Sequence, residues 1–366
     1  MTETVTTCFP TPRARVQAMM EYHPPLGCRD ALRLDFNENT VGCSPRVLQR
    51  LQAISGEDLA RYPERAPIEA AMAAHLKIRP EELLLTNGTD EAIHLVCETY
   101  LDAGAAALIV VPTYSMYEIY AAATGARVIS IPSDKDFRFP AERLLNQVSE
   151  HTRLIAIANP NNPTGVLVAE AEILRIAQAA PQAAVLVDEA YFEFCGVTAL
   201  PAFRQFPNIF VSRTFSKAYG LAGLRIGVLI GNADQMPLVR RVASPYSVNS
   251  VALACLPEAL ADGEYIRRYV ENVLEGRRGL EQALGSWGIK YWPSQANFVL
   301  LRMGERAPAL IAALRVRGIL VRDRSADPGC SGCVRITLGS TADNARLLAA
   351  LPEVLGEIGQ REKVKA

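Results

Sequence analysis

LIAIANPNNPTGVLVAEAEILRIAQAAPQAAVLVDEAY, residues 154–191, decides the fold class. Two short apolar runs, LIAIA (154–158) and AVLV (184–187), flank a turn and the helix-length stretch AEAEILRIAQAA (169–180). A run of four or five apolar residues suits a strand buried on both faces, and the stretch between is long enough to cross back over a sheet. The same punctuation continues outward. LLLT (83–86), ALIVV (107–111) and ARVISI (126–131) precede this unit; IFVS (209–212) and RIGVLI (225–230) follow it. Seven such runs, most separated by Ala-rich stretches such as EAIHLVCETYL, predict an α/β fold with a mostly parallel (mixed) seven-stranded sheet between helices. Beyond about residue 232 a long helical stretch (ADGEYIRRYVENVLEGRRGLEQAL) leads to NFVLL, GILV and CVRITL, which read as a smaller α+β domain. The expected division is an arm at 1–40 associated with the small domain, a large domain at 41–240 and the small C-terminal domain at 241–366.

Composition narrows the function. The formal net charge is −1, so no polyanion partner is expected and nucleic-acid binding is disfavoured. No apolar run approaches the ~20 residues of a membrane span; the best, at 105–111, is stopped by Pro112. The opening MTETVTTCFPTPRAR has no apolar h-region, so a cytoplasmic protein is expected. Eight scattered cysteines fit reduced thiols better than a disulfide framework. Cys330 and Cys333 form a Cys-x-x-Cys, but zinc would need two more ligands and no second pair exists, so no metal is expected.

Open α/β sheets bind ligands at the carboxyl ends of their strands, so the residues just after each run are the candidates. IFVSRTF ends in Ser216 and Lys217. Desolvation there would lower the lysine pKa and free a nucleophilic amine; Thr214, Ser216 and Arg225 nearby suit a phosphorylated aldehyde. Taken alone, Lys217 could equally be a snorkelling surface lysine. AVLV ends in Asp188, which could keep a pyridine nitrogen protonated or simply cap a helix; Tyr191 could serve a ring oxygen. LIAIA runs into Asn162 within a sharp NPNNPTG turn. LLLT leads to Thr89 and Asp90 at a helix start, a place for phosphate or an ordinary cap. ALIVV leads to Tyr114, able to stack on a ring or pack in the core. Each signal is modest; together they supply a phosphate nest, a stacking ring, ring-oxygen donors, an acid for a ring nitrogen, and an amine. No Gly-x-Gly-x-x-Gly follows a strand and no P-loop occurs, so dinucleotide and ATP readings lack support.

With NPNNPTG, DEAY and SKAYGLAGLRIG in this order, the chain resembles the fold-type I pyridoxal-phosphate enzymes. LDFNENTVG (34–42), ARYPE (60–64), NGTDE (87–91), PTYSMY (112–117), VRDR (321–324) and SGCVRITLG (331–339) make it similar, more narrowly, to the histidinol-phosphate aminotransferases. The resemblance implies a pyridoxal 5'-phosphate cofactor held by Lys217 as a Schiff base. It implies Asp188 on the pyridine nitrogen, Asn162 and Tyr191 on the ring oxygen, Tyr114 stacked on the ring, and Thr89, Asp90, Thr214, Ser216 and Arg225 around the phosphate. It further implies that Tyr62 reaches the neighbouring subunit's cofactor phosphate, hence a homodimer with shared active sites. Tyr22, Asn37, Arg322 and Arg335 would contact substrate, the two arginines holding its phosphate, and Arg335 also glutamate's carboxylate. The sequence departs from the family pattern at Tyr22-His23-Pro24-Pro25 and at Asn37-Glu38-Asn39-Thr40.

The implied reaction is a ping-pong transamination between histidinol phosphate with 2-oxoglutarate and imidazole-acetol phosphate with glutamate, in histidine biosynthesis. The alternatives within the cofactor family are an aromatic amino-acid aminotransferase and a threonine-phosphate decarboxylase. The alternative of another class is a non-catalytic pyridoxal-phosphate-binding regulator.

Overall fold

The computed structural model describes residues 10–21, 27 and 30–365. Twelve strands lie among them: β1 Leu32–Leu34, β2 Leu83–Thr86, β3 Ala106–Val111, β4 Arg127–Pro132, β5 Thr152–Ala158, β6 Ala184–Asp188, β7 Ile209–Thr214, β8 Gly227–Ile230, β9 Tyr291–Trp292, β10 Phe298–Arg302, β11 Ile319–Asp323 and β12 Cys333–Thr337. The seven apolar runs become β2 to β8, which form one sheet in the order β2-β8-β7-β6-β5-β3-β4. Its pairs from β7 to β4 are parallel, while β8 runs antiparallel to both β2 and β7.

The alternation of side chains explains why this sheet is covered twice. On β6, Val185 and Val187 enter one hydrophobic core and Ala184 and Leu186 enter another. On β2, Leu83 and Leu85 join the first core and Leu84 the second. The crossover helix Glu170–Ala179 buries Ile173, Ile176 and Ala177 in the first core, one stripe of a 3.6-residue repeat. Helix Gly88–Tyr100 buries Ala92, Ile93, Val96 and Cys97 in the second.

The second sheet has the order β1-β11-β12-β10-β9. Its core takes Ile266, Tyr269, Val273, Leu280 and Leu284 from helix Gly263–Ser286, and Leu347, Leu351, Val354 and Ile358 from helix Thr341–Lys365. The three runs read from the sequence become β10, β11 and β12. The sheet also recruits β9 and the N-terminal β1, which pairs parallel with β11. From β1 the chain crosses to the large sheet, where Val47 of helix Pro45–Gln52 enters the first core. Among the described residues no helix is long and apolar enough to cross a membrane.

Candidate active site

The carboxyl ends of β2, β3, β5, β6 and β7 open on one cavity of about 330 Å³, and β11 and β12 supply its opposite wall. Strand β6 ends in buried Asp188, whose register partner on β7 is Ser212. The Ser212 hydroxyl donates to Oδ1 at 3.0 Å, and the phenol of Tyr117, from helix Met116–Thr124, donates to Oδ2 at 2.6 Å. Burial pushes the Asp188 carboxyl up to about 6, against the pull of both donors. A desolvated carboxylate held by two neutral hydroxyls gains most from a cation brought to its open side.

Strand β7 continues into Lys217, whose Nζ donates to the carbonyl oxygen of Phe36 at 3.0 Å. Burial, aided by the Arg335 charge and opposed by Glu38, lowers the lysine from 10.5 to about 8. The amine is therefore far closer to its nucleophilic neutral form at physiological pH than an exposed lysine would be.

The antiparallel direction of β8 completes the anion-binding end. Thr86 and Thr214 both pair with Gly227, so β8 begins where β2 and β7 end. Arg225, two residues earlier in left-handed backbone (φ 54), thereby reaches the start of helix Gly88–Tyr100. Its Nη2 lies 3.1 Å from Asp90 Oδ2, and the Tyr114 hydroxyl donates to Asp90 Oδ1 at 2.8 Å. Asn87 precedes the helix without a side-chain cap, which leaves the first-turn N–H groups to an anion. Gly88 has a positive φ (+74) that side chains rarely adopt, and a Cβ there would sit 2.6 Å from Arg225 Nη2 and displace the guanidinium.

Buried Tyr191 accepts from Asn37 Nδ2 at 2.8 Å, which leaves its own O–H to donate. The Asn162 carbonyl oxygen accepts from Arg335 Nη1, which leaves the amide nitrogen as its donor. On the opposite wall, the register of β11 and β12 sets Arg322 directly across from Arg335. Arg335 is buried and donates to the Asp35 carbonyl oxygen at 2.6 Å, while its Nε finds no partner among the described residues. Burial lowers it to about 10, so it is still a cation at neutral pH. The Arg322 guanidinium lies 5.7 Å from the centre of the Phe36 ring.

Thus Asn37, Thr89, Asp90, Tyr114, Asn162, Asp188, Tyr191, Thr214, Ser216, Lys217, Arg225, Arg322 and Arg335 all line one cavity. Asn37 does so with its amide engaged, since its oxygen also accepts from the Thr337 hydroxyl at 2.9 Å. Tyr62 stands apart, 77% exposed, with its ring 4.4 Å from that of Tyr246. Tyr22 lies outside the described residues. Sequence reasoning missed Tyr117, Ser212 and Arg324. Ser212 was readable as the end residue of a strand next to β6, and Arg324 as the alternate neighbour of Arg322. Nothing short of the fold points Tyr117 at Asp188. Cys330 and Cys333 are both buried, and the turn between them closes through Cys333 N–H to the Cys330 carbonyl at 2.8 Å.

The donor set fits pyridoxal phosphate, since an anion nest, a carboxylate in want of a cation, two donors for a ring oxygen and a weakly basic lysine all line one cavity. The comparisons agree. Residues 29–351 match the family model described as aminotransferase class I and II. The chain is 36% identical to histidinol-phosphate aminotransferase of Geobacillus sp. (strain WCH70), covering 90% of this chain and 92% of that one. It is 34% identical to histidinol-phosphate aminotransferase 2 of Legionella pneumophila (strain Lens), over 93% and 96%. Its structure resembles that of histidinol-phosphate aminotransferase from Sinorhizobium meliloti in complex with pyridoxal-5'-phosphate, with a TM-score of 0.86 and 26% identity over 96% and 99% of the two chains.

The depressed lysine has a pH signature. Lys217 loses its proton as pH rises through about 8, where an ordinary lysine would need about 10.5. The rate at which cofactor-free protein captures pyridoxal phosphate should therefore reach half its maximum near pH 8, and Arg335→Gln should move that midpoint upward. A wild-type midpoint above pH 10 would remove the weakly basic amine from the account.

Proposed function

The chain belongs to the class I and II aminotransferase family and is a pyridoxal-phosphate-dependent aminotransferase, and from that premise we propose that it interconverts L-histidinol phosphate and 2-oxoglutarate with imidazole-acetol phosphate and L-glutamate, in histidine biosynthesis. The observation that carries the substrate is the pairing of Arg322 with Arg335 across β11 and β12 at the cavity wall. Like charges directly opposite on paired strands are unfavourable, and planar guanidiniums converging on one spot suit a phosphate. The relatives named above support the same substrate.

Bound in this cavity, pyridoxal phosphate supplies an electron-accepting ring that stabilises negative charge at the substrate α-carbon. In this reading Asp188 keeps the proton on the pyridine nitrogen, held for that task by Ser212 and Tyr117. Tyr191 and Asn162 donate to the ring oxygen, and Tyr114 flanks the ring. Thr89, Thr214, Ser216 and Arg225 hold the phosphate end, and Asp90 adjoins it through its helix-start backbone N–H while its carboxylate stays on Arg225 and Tyr114. Lys217 would hold the cofactor's aldehyde carbon, and its Nζ, when freed, would carry the proton between the substrate α-carbon and that carbon. Its lowered basicity suits both directions of that transfer. Arg322 and Arg335 orient the substrate from the opposite wall, and Arg335 serves the carboxylate when glutamate occupies the site.

The reading includes a homodimer. Tyr62 and Tyr246 pair ring to ring at the surface, and Leu59, three residues before Tyr62 in the chain, is exposed as well, which supports a partner covering this face. Tyr62 would then serve the partner's cofactor phosphate.

Two measurements test these assignments. In half-reaction titrations Arg322→Ala should weaken histidinol phosphate by about tenfold or more. Undiminished affinity in the variant, or carbon dioxide released from threonine phosphate by the native enzyme, would overturn the substrate assignment. For shared sites, Lys217→Ala and Tyr62→Ala proteins, each impaired alone, should regain about a quarter of native activity when mixed and re-equilibrated, because half of the dimers then hold one intact site. No recovery would place both residues in the same subunit's site.

A further inference from the structure

Arg324 is not among the residues assigned to the cofactor above, yet it lines the same cavity. At the end of β11 and just past it the side chains alternate: Arg322 and Arg324 line the cavity, and Asp323 between them is exposed. The Arg324 N–H donates to the Cys333 carbonyl at 3.0 Å, so the pairing that sets Arg322 opposite Arg335 continues through it. The chain then turns sharply, with Asp327 N–H to the Arg324 carbonyl at 3.0 Å, and the Asp327 carboxylate pairs with the Arg324 guanidinium. The Arg324 side chain is only 14% exposed, and its Nε finds no partner among the described residues, as is also true of Arg335. A buried guanidinium N–H left without an acceptor is costly, and a ligand oxygen can remove that cost.

Phosphate and carboxylate differ in how many guanidiniums they can use. Two planar guanidiniums can occupy both oxygens of a carboxylate. A third gains more from a tetrahedral group with three terminal oxygens and more than one negative charge than from the shared oxygens and single charge of a carboxylate. Asp327 meanwhile holds the long Arg324 side chain in one orientation, which reduces the rotamer entropy lost on binding. We infer that Arg324, oriented by Asp327, is a specificity residue that tilts this wall toward a phosphate ester and away from a carboxylate. The inference rests on the phosphate-bearing substrate proposed above, and it addresses how one cavity serves two donors with different acidic ends.

The test uses wild-type, Arg324→Gln and Arg324→Lys holoenzymes. Half-reactions with histidinol phosphate and with glutamate are followed by cofactor absorbance, and inorganic phosphate is titrated as a competitor of glutamate. In Arg324→Gln the ratio of kcat/KM for histidinol phosphate to that for glutamate should fall about tenfold. The loss should sit in KM, the inhibition constant for inorganic phosphate should rise by a similar factor, and Arg324→Lys should recover part of both. An unchanged ratio, or equal losses on both substrates without recovery by lysine, would reduce Arg324 to a structural residue and overturn the inference. If the wild-type enzyme ignores histidinol phosphate, the substrate proposal fails by itself, and the inorganic phosphate constants still decide for or against Arg324.

Discussion

Two cations from two different sheets are held by neighbouring carbonyls of one passing segment. Asp35 gives its carbonyl oxygen to Arg335 of β12, and Phe36 gives its own to Lys217 at the end of β7. A half-buried amine and a buried guanidinium both need acceptors, and backbone carbonyls supply them without adding charge. The segment is itself fastened on both sides. Asn37 bonds Thr337 of the smaller sheet, and Asn39 donates to the Ala218 carbonyl beside the lysine at 3.0 Å. The distance between the two walls of the cavity follows from these few bonds, so the site exists only when β1 has joined the small sheet and the chain has crossed to the large one.

The rest of the site is a set of local costs accepted for the sake of a ligand. Asp188, Lys217 and Arg335 are all displaced toward their neutral forms, chiefly by burial. Asn37 and Arg225 occupy left-handed backbone, which is unfavourable for residues with a side chain. Both line the cavity, where strain and desolvation are expected to concentrate. In the proposed reading a phosphorylated, cationic, aldehyde-bearing ring answers these costs: Arg225 and the helix start meet its phosphate, Tyr191 and Asn162 its ring oxygen, Asp188 its nitrogen and Lys217 its aldehyde.

Much of this was legible from the residues. The seven apolar runs from LLLT to RIGVLI were readable because a strand buried on both faces is a continuous apolar word bounded by turn residues. The direction of β8 was not, since hydrophobic pattern carries no sense of up or down; yet that direction is what brings Arg225 to the helix start. The strands β1 and β9, three and two residues long, are too short to show a period. In the site, strand-end position pointed to Asp188, Asn162 and Lys217, because a parallel sheet gathers its carboxyl ends. Tyr117 was invisible because it reaches Asp188 from a helix following another strand. The carbonyls of Asp35 and Phe36 were invisible because every residue carries one.

The central claim is that the Lys217 amine, and no other lysine, meets the cofactor. Among the described residues with defined side chains, Lys77, Lys135 and Lys290 are exposed, in contrast to Lys217 in its cavity. Borohydride reduction of the purified holoenzyme, followed by peptide mass mapping, tests this most directly. The account predicts a single pyridoxyl phosphate adduct on the peptide containing Lys217, with none after Lys217→Ala. An adduct on another lysine, or no adduct from a protein that still transaminates, would contradict it.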